Sequence, residues 1–192
     1  MSTSILQLKV TLENIRPPIW RRVLAESNIT LGDLHLIIQA IMPWQNYHLH
    51  TFLANETYYS PLMADDDFGG FDVPDTDEES VILSQVLPHE KSWIRYTYDM
   101  GDGWDHKILL EKVLAPDPKV TYPTCIKGKR ACPPEDCGGA WGYMELLEIL
   151  SDPNHPEYAE RMEWDEDGID AEAFDLSEIN EVLKDRNDLK LM

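Results

Sequence analysis

The sequence predicts an α+β fold, a mainly antiparallel sheet of about six strands with helices packed on one face and a helical C-terminal third, in a single domain spanning residues 1–192. Three observations carry this. Apolar residues alternate at period two in separate short runs, first in Leu6, Leu8, Val10 and Leu12, later in Ile94, Tyr96 and Tyr98 followed by Trp104, His106, Ile108 and Leu110; each run suits a strand with one buried face. Helical spacing occurs early in Leu34, Ile37, Ile38 and Ile41 and becomes dense only after Gly139. The order strands, helix, strands, helices sets helices against an antiparallel sheet rather than between parallel strands.

Taken in order, Ile5 to Glu13 reads as the first strand and Ile19 to Ala25 as its antiparallel partner, with Pro17 and Pro18 breaking the chain between them at an edge. Thr30 caps the next helix, Asp33 stands three residues on in a near capping box, and Pro43 stops the helix at Met42. A third strand runs from Tyr47 to Ala54 and a fourth from Thr57 to Ser60, across a turn at Asn55 and Glu56. The acidic stretch 61–79, with Gly69 and Gly70, is too long for an ordinary connection and is expected as a mobile loop. Ser80 caps a short helix carrying Leu83, Val86 and Leu87. A hairpin follows from Trp93 to Glu111, its turn at Asp102 and Gly103, a pair that tolerates positive φ. Residues 116–139 are rich in Pro, Gly and Cys without periodicity and read as an irregular excursion. Tyr143, Leu146, Leu147 and Leu150 then share a helical stripe that ends at Asp152 and Pro153; a further helix spans about Pro156 to Trp164, and Asp175 opens a last one with Ile179, Val182 and Leu183 inward.

The charge distribution excludes some functions. The net charge is -20, yet residues 61–79 hold eight acids and no base and residues 152–181 hold twelve acids and one base, Arg161, out of 36 acids and 16 bases, so the rest of the chain is close to neutral. A protein that displaces counterions from phosphates needs Lys and Arg, so direct nucleic-acid binding is not expected. No apolar run approaches the roughly 18 residues of a membrane span, and the N-terminus has no secretory signal pattern. A soluble, cytoplasmic protein is expected, its acidic stretches a solvated surface open to a cation or a basic partner. An EF-hand reading fails: Glu163, Asp165, Asp167 and Gly168 match the start of such a loop, but Phe174 stands where a bidentate Glu is needed, and Asp65, Asp67 and Gly70 lead likewise to Thr76.

Two regions carry chemistry. At the hairpin tip, Asp99, Asp102, Asp105 and His106 lie beside Trp104, a carboxylate cluster that invites a metal or a basic partner. Downstream, Cys125, Cys132 and Cys137 are the only cysteines, with Glu135 and Asp136 in the same loop. Six and four residues separate the thiols, which is not the paired spacing of a zinc knuckle; bound zinc, a disulfide between two thiols and simple packing all remain open. His48 and His50, one residue apart on a predicted strand, project from one face and can share a metal if a carboxylate joins them. Gly138 and Gly139 read as a helix start, with an anion cradle as the alternative. No nucleophile elbow, Walker loop or dinucleotide fingerprint is present.

The run containing Tyr96, Asp99, Gly101, Asp102, Trp104 and His106, the loop from Cys125 to Gly139 with Arg130, Cys132 and Asp136, and Gly142 with Tyr143 at a helix start together resemble the plasmid pRiA4b ORF-3-like family, over nearly the whole length. Agreement extends to Pro17, Pro18, Trp20 and Arg22 and to Asp152, Pro153 and Phe174. The resemblance implies that Cys125 and Cys132 are the shared thiols, the position of Cys137 often being aliphatic, and it carries no catalytic activity over. A label sometimes given to such proteins, passenger TnpR of a transposable element, implies recombination by a serine nucleophile with supporting arginines; the only basic clusters here are Arg16, Arg21 and Arg22 and Lys127, Lys129 and Arg130.

The reading that best fits is a soluble, non-enzymatic module that binds a protein or small ligand through Asp99, Asp102, Trp104, Asp105, His106, Glu135 and Asp136. The alternative is a metal-dependent hydrolase using His48, His50 and the tip carboxylates. Zinc is the one candidate cofactor, on Cys125, Cys132, Cys137, His48 and His50, and the sequence names no substrate, partner or oligomeric state.

Overall fold

The computed structural model describes residues 3–62, 76–164 and 169–186. Most of the acidic stretch expected as a mobile loop, and the acidic residues 165–168, lie outside the described residues. The fold is α+β, built on one eight-stranded sheet in the order β5-β4-β3-β6-β7-β1-β2-β8. Its strands are β1 (Ile5–Leu12), β2 (Trp20–Glu26), β3 (His50–Ala54), β4 (Thr57–Ser60), β5 (Thr76–Asp77), β6 (Trp93–Tyr98), β7 (Trp104–Leu114) and β8 (Thr124–Lys129). Every pairing is antiparallel except β4 with β5.

Two strands exceed the six expected. β5 is only two residues long, below the length at which alternation can be read. β8 lies inside the stretch expected to be irregular and pairs with β2 across a register shift between Arg22 and Val23. It is an edge strand, and a side chain covers its outer rim: Asn180 accepts from the Cys125 N–H at 2.9 Å and donates to the Cys125 carbonyl at 2.9 Å, standing in for a neighbouring strand. The C-terminal third is also less helical than expected. Its helices α3 (Gly139–Ser151), α4 (Tyr158–Trp164) and α5 (Leu176–Asp185) are separated by non-helical chain.

The core lies on one face of the sheet. Leu8, Val10, Val23, Phe52, Tyr96, Tyr98, Trp104, Ile108 and Leu110 are buried together with α1 (Leu31–Ile41), α2 (Leu83–Val86), Tyr143, Ile179 and Leu183. Thr30 and Asp33 form a reciprocal capping box on α1, which satisfies two of the amides that a helix start leaves unpaired. The helix ends at Met42 ahead of Pro43, as the sequence requires. α1 packs on α5 and α5 on β8, so the C-terminal helix closes the core over the edge strand. Asn55 and Glu56 both take positive φ between β3 and β4, a pattern that fits the right-handed twist of a tight hairpin. No helix among the described residues is long and apolar enough to cross a membrane.

Candidate functional site

The β6–β7 hairpin does not turn on Asp102 and Gly103 alone. Its tip is the five-residue loop from Asp99 to Gly103, closed by the Gly103 N–H on the Asp99 carbonyl at 2.7 Å, with positive φ at Asp99 and Gly103. Asp99 organises this loop. Its Oδ1 accepts from the Gly101 N–H at 2.8 Å and the Asp102 N–H at 3.3 Å, and its own N–H donates to the Leu49 carbonyl. Oδ2 is thereby left facing His48.

Asp102 ties the tip to the cysteine loop. Its carboxylate accepts from the Gly138 N–H at 3.2 Å, just before α3, where helix amides favour negative charge. The anion at Gly138 is therefore the protein's own. A β-carbon on Gly139 would stand 2.2 Å from the Asp102 carbonyl oxygen, so glycine permits that contact. Glu135 fastens the same loop to the segment after α1: it accepts from the Tyr98 hydroxyl and from the Gln45 N–H.

These ties bring three separate chain segments to one point. His48, Asp99 and Asp136 each offer one ligand atom, and the three atoms lie within 4.8 Å of one another, a group that could hold a metal ion. His48 Nε2 is 3.2 Å from Asp136 Oδ1 and 3.7 Å from Asp99 Oδ2; Asp99 is nearly buried and Asp136 exposed. Tyr47, Met100 and Trp141 are exposed in the three segments that meet here, Trp141 at 82%.

Several predicted site residues take other roles. Trp104 and His106 are wholly in the core, where a partner cannot reach them; they point inward because both fall on the buried face of β7. Asp105, on the opposite face, accepts from the Thr97 hydroxyl at 2.6 Å. The strand begins at His50 rather than Tyr47, so His48 and His50 do not share a face: His48 joins the carboxylates while His50 points into the interior. The cysteines do not converge as one ligand set. All three are free, and no three-donor group among the described residues includes them. Cys132 Sγ packs 3.6 Å from Met42 Sδ, and burial pushes the Cys132 and Cys137 thiols up to about 12.

Beside His48 opens a cleft of about 570 Å³, lined by Gly32, His35, Leu36, Asn46, Tyr47, Leu49, His50, Pro61, Glu78 and Glu79. The imidazoles of His35 and His50 stack with centroids 3.5 Å apart and planes within 3°. The backbone fixes their neighbours' protons. Asn46 N–H donates to Gln39 Oε1, so the Gln39 amide nitrogen donates to the Tyr96 hydroxyl, which in turn donates to His35 Nδ1 at 2.8 Å. His35 Nε2 therefore carries its proton and donates to Asn46 Oδ1 at 2.8 Å. His50 Nε2 and Glu78 Oε2 share a hydrogen bond of 2.8 Å, both side chains 5% exposed. Burial lowers His50 to about 3, and burial together with the charges of Glu79 and Asp77 raises Glu78 to about 8. At neutral pH this is a neutral acid against a neutral imidazole. His35, set in an apolar helix, and Glu78, one acid in a run of acids, gave no sequence signal that set them apart.

Tyr96→Phe is expected to cost about 1–3 kcal/mol, since His35 Nδ1 and the Gln39 amide would each lose a buried partner. Equilibrium denaturation measures it; a loss under about 0.3 kcal/mol would mean that the network relaxes around the missing hydroxyl.

The family is decided by comparison over the whole length. The sequence model of the plasmid pRiA4b ORF-3-like protein matches residues 4–178. This chain belongs to that family. It is 36% identical over 186 residues to the uncharacterised protein y4hQ of Sinorhizobium fredii, covering 96% of this chain and 93% of that one. It is also similar to the crystal structure of MM3350, a protein of unknown function from Methanosarcina mazei Go1, with a TM-score of 0.80, 38% identity, and coverage of 92% of this chain and 98% of that chain. MM3350 shares the fold, and neither relative brings an activity with it. Family membership thus agrees with the resemblance read from the hairpin and the cysteine loop.

Proposed function

We propose that this member of the family is a non-enzymatic binding module whose recognition centre is the junction of hairpin tip, cysteine loop and histidine segment, charged by a divalent cation on His48, Asp99 and Asp136. The observation that carries the reading is the convergence of one imidazole and two carboxylates from three separate segments within 4.8 Å. Mixed nitrogen and oxygen donors suit zinc or manganese, and the backbone amides on Asp99 Oδ1 orient its carboxylate as outer-shell partners do in metal sites. Three protein ligands leave coordination positions for a group on a protein or small-molecule partner, and the exposed Tyr47, Met100 and Trp141 supply aromatic and thioether surface of the kind enriched at interfaces.

Calorimetric titration of chelator-stripped protein with zinc and manganese tests this. One site per chain is expected, weakened about tenfold or more in His48→Ala and Asp99→Asn and unchanged in Cys132→Ser. Equal affinity in Asp99→Asn and the wild type would refute the site.

A second reading, a metal-dependent hydrolase, is favoured by one observation: His48 lines the same cleft as the His50–Glu78 acid and imidazole pair, so an activated water and a proton donor can share one cavity. Turnover of chromogenic phosphate and carboxylate esters with and without metal tests it. No metal-dependent turnover above the His48→Ala background removes the hydrolase and leaves the binding module.

A further inference from the structure

We infer that the floor of the cleft is a subsite for a primary ammonium group, received by the Glu78 carboxyl while its alkyl stem lies along Leu36 and Leu49. This subsite adjoins the proposed cation site, whose His48 also lines the cleft, but does not depend on an ion bound there. Glu78 is one of the few buried charged side chains, and only one of its oxygens is engaged. Oε2 meets His50; Oε1 accepts no hydrogen bond among the described residues and lies 3.3 Å from where a β-carbon on Gly32 would stand, on the wall of the cleft. Among the described residues no Lys or Arg lines the cleft, and the carboxyl's one hydrogen-bond partner is His50.

A buried carboxyl normally has a cation or several donors beside it, because burying its charge alone is costly. Among the described residues no Lys or Arg pairs with Glu78, and the cleft opens at its free oxygen. The cavity is within the size range of small-ligand sites. Its other walls combine the apolar Tyr47, Pro61, Leu36 and Leu49 with the polar His35, Asn46 and His48, while Glu79 adds negative charge at the same wall. An anion would meet two glutamates and no Lys or Arg among the described residues. An ammonium group would donate to the open oxygen of Glu78, restore the carboxylate and release its proton to solvent, and the stem would exclude water from the cleft.

The ammonium can come from a free amine or from a lysine side chain of a protein partner. The test is a titration of the full chain at neutral pH with a chelator present, which keeps the neighbouring cation site out of play, following the ring resonances of His35 and His50 by NMR. Pentylamine is compared with pentanol, which has the same stem and no charge, and with a short lysine-containing peptide. Saturable shifts with pentylamine at least tenfold tighter than with pentanol support a small-amine subsite; saturation by the lysine peptide alone supports the same chemistry supplied by a protein. Glu78→Gln, which keeps the shape and a hydrogen bond to His50, is expected to lose at least tenfold in either case. Equal response to amine and alcohol, no saturable shift with either amine, or an unchanged affinity in Glu78→Gln would overturn the inference. The amine and alcohol comparison needs no variant, so a misfolded mutant cannot hide the answer.

Discussion

Gly139→Ala is expected to lower the unfolding free energy by about 2–4 kcal/mol and to weaken any cation bound at His48, Asp99 and Asp136. Two effects add. Gly139 has φ of +67°, a conformation that costs an L-residue about 1–2 kcal/mol. The new β-carbon would also stand 2.2 Å from the Asp102 carbonyl oxygen, a backbone atom that cannot swing aside. The hairpin tip would have to lift from the cysteine loop, separating Asp99 from Asp136. Gly103→Ala is the matched control, since Gly103 has φ of +65° but no atom within 4 Å of its added carbon beyond its chain neighbours; it should cost only the conformational part, about 1–2 kcal/mol. Denaturant unfolding of both variants decides the point. If Gly139→Ala costs no more than Gly103→Ala, the tip is not held by that contact.

Stability should also pass through a maximum between about pH 6.5 and 7, falling on both sides for different reasons. His50 and His106 are lowered by burial from 6.5 to about 3 and about 4, and burial likewise holds His35 well below 6.5. As pH falls below 6.5 the unfolded chain takes up protons that the folded chain refuses, so stability is complete above 6.5 and drains away towards pH 4 and below. His106 by itself accounts for about 3 kcal/mol across that window. Glu78 acts in the opposite direction. Raised from 4.5 to about 8, it keeps a proton in the folded state that the unfolded chain gives up; its contribution is complete below 4.5 and is lost as pH rises through about 8. Unfolding measured at intervals from pH 4 to 9 should trace both limbs, and Glu78→Gln should flatten the alkaline limb and steepen the acid limb between about 4.5 and 6.5, where Glu78 opposes the histidines. A monotonic rise across the range would show that Glu78 ionises freely in the folded protein.

The sheet strands with a clean period were legible because burial of one face imposes that period on the sequence. β1, β6 and β7 follow from Leu6 to Leu12 and from Ile94 to Leu110 in this way, and the capping box at Thr30 and Asp33 fixed the start of α1. β8 lacked such a period: it carries Gly128 between two basic residues, Lys127 and Lys129, is exposed at several positions and is held by Asn180 and by β2. The two-residue β5 is set by its parallel neighbour alone. In both, the deciding partner is remote in sequence, and no local pattern encodes it.

The same division runs through the candidate site. By itself the sequence determined the family, the α+β class and the stock of chemical groups: Asp99, Asp102, Asp136 and His48 were all visible as candidates. It also kept Trp104, His106 and Asp105 among the candidates, although alternation with Ile108 and Leu110 already put Trp104 and His106 on the apolar face. Their roles were decided by the tertiary structure. It buried Trp104 and His106, turned His50 inward onto Glu78 and His35, left the three thiols free and outside any three-donor group among the described residues, and brought His48 against two aspartates from distant loops. The physical reason is that side-chain type and spacing set what a residue can do, whereas the low dielectric and missing charge partners that give Glu78 its character exist only once the chain has closed around it.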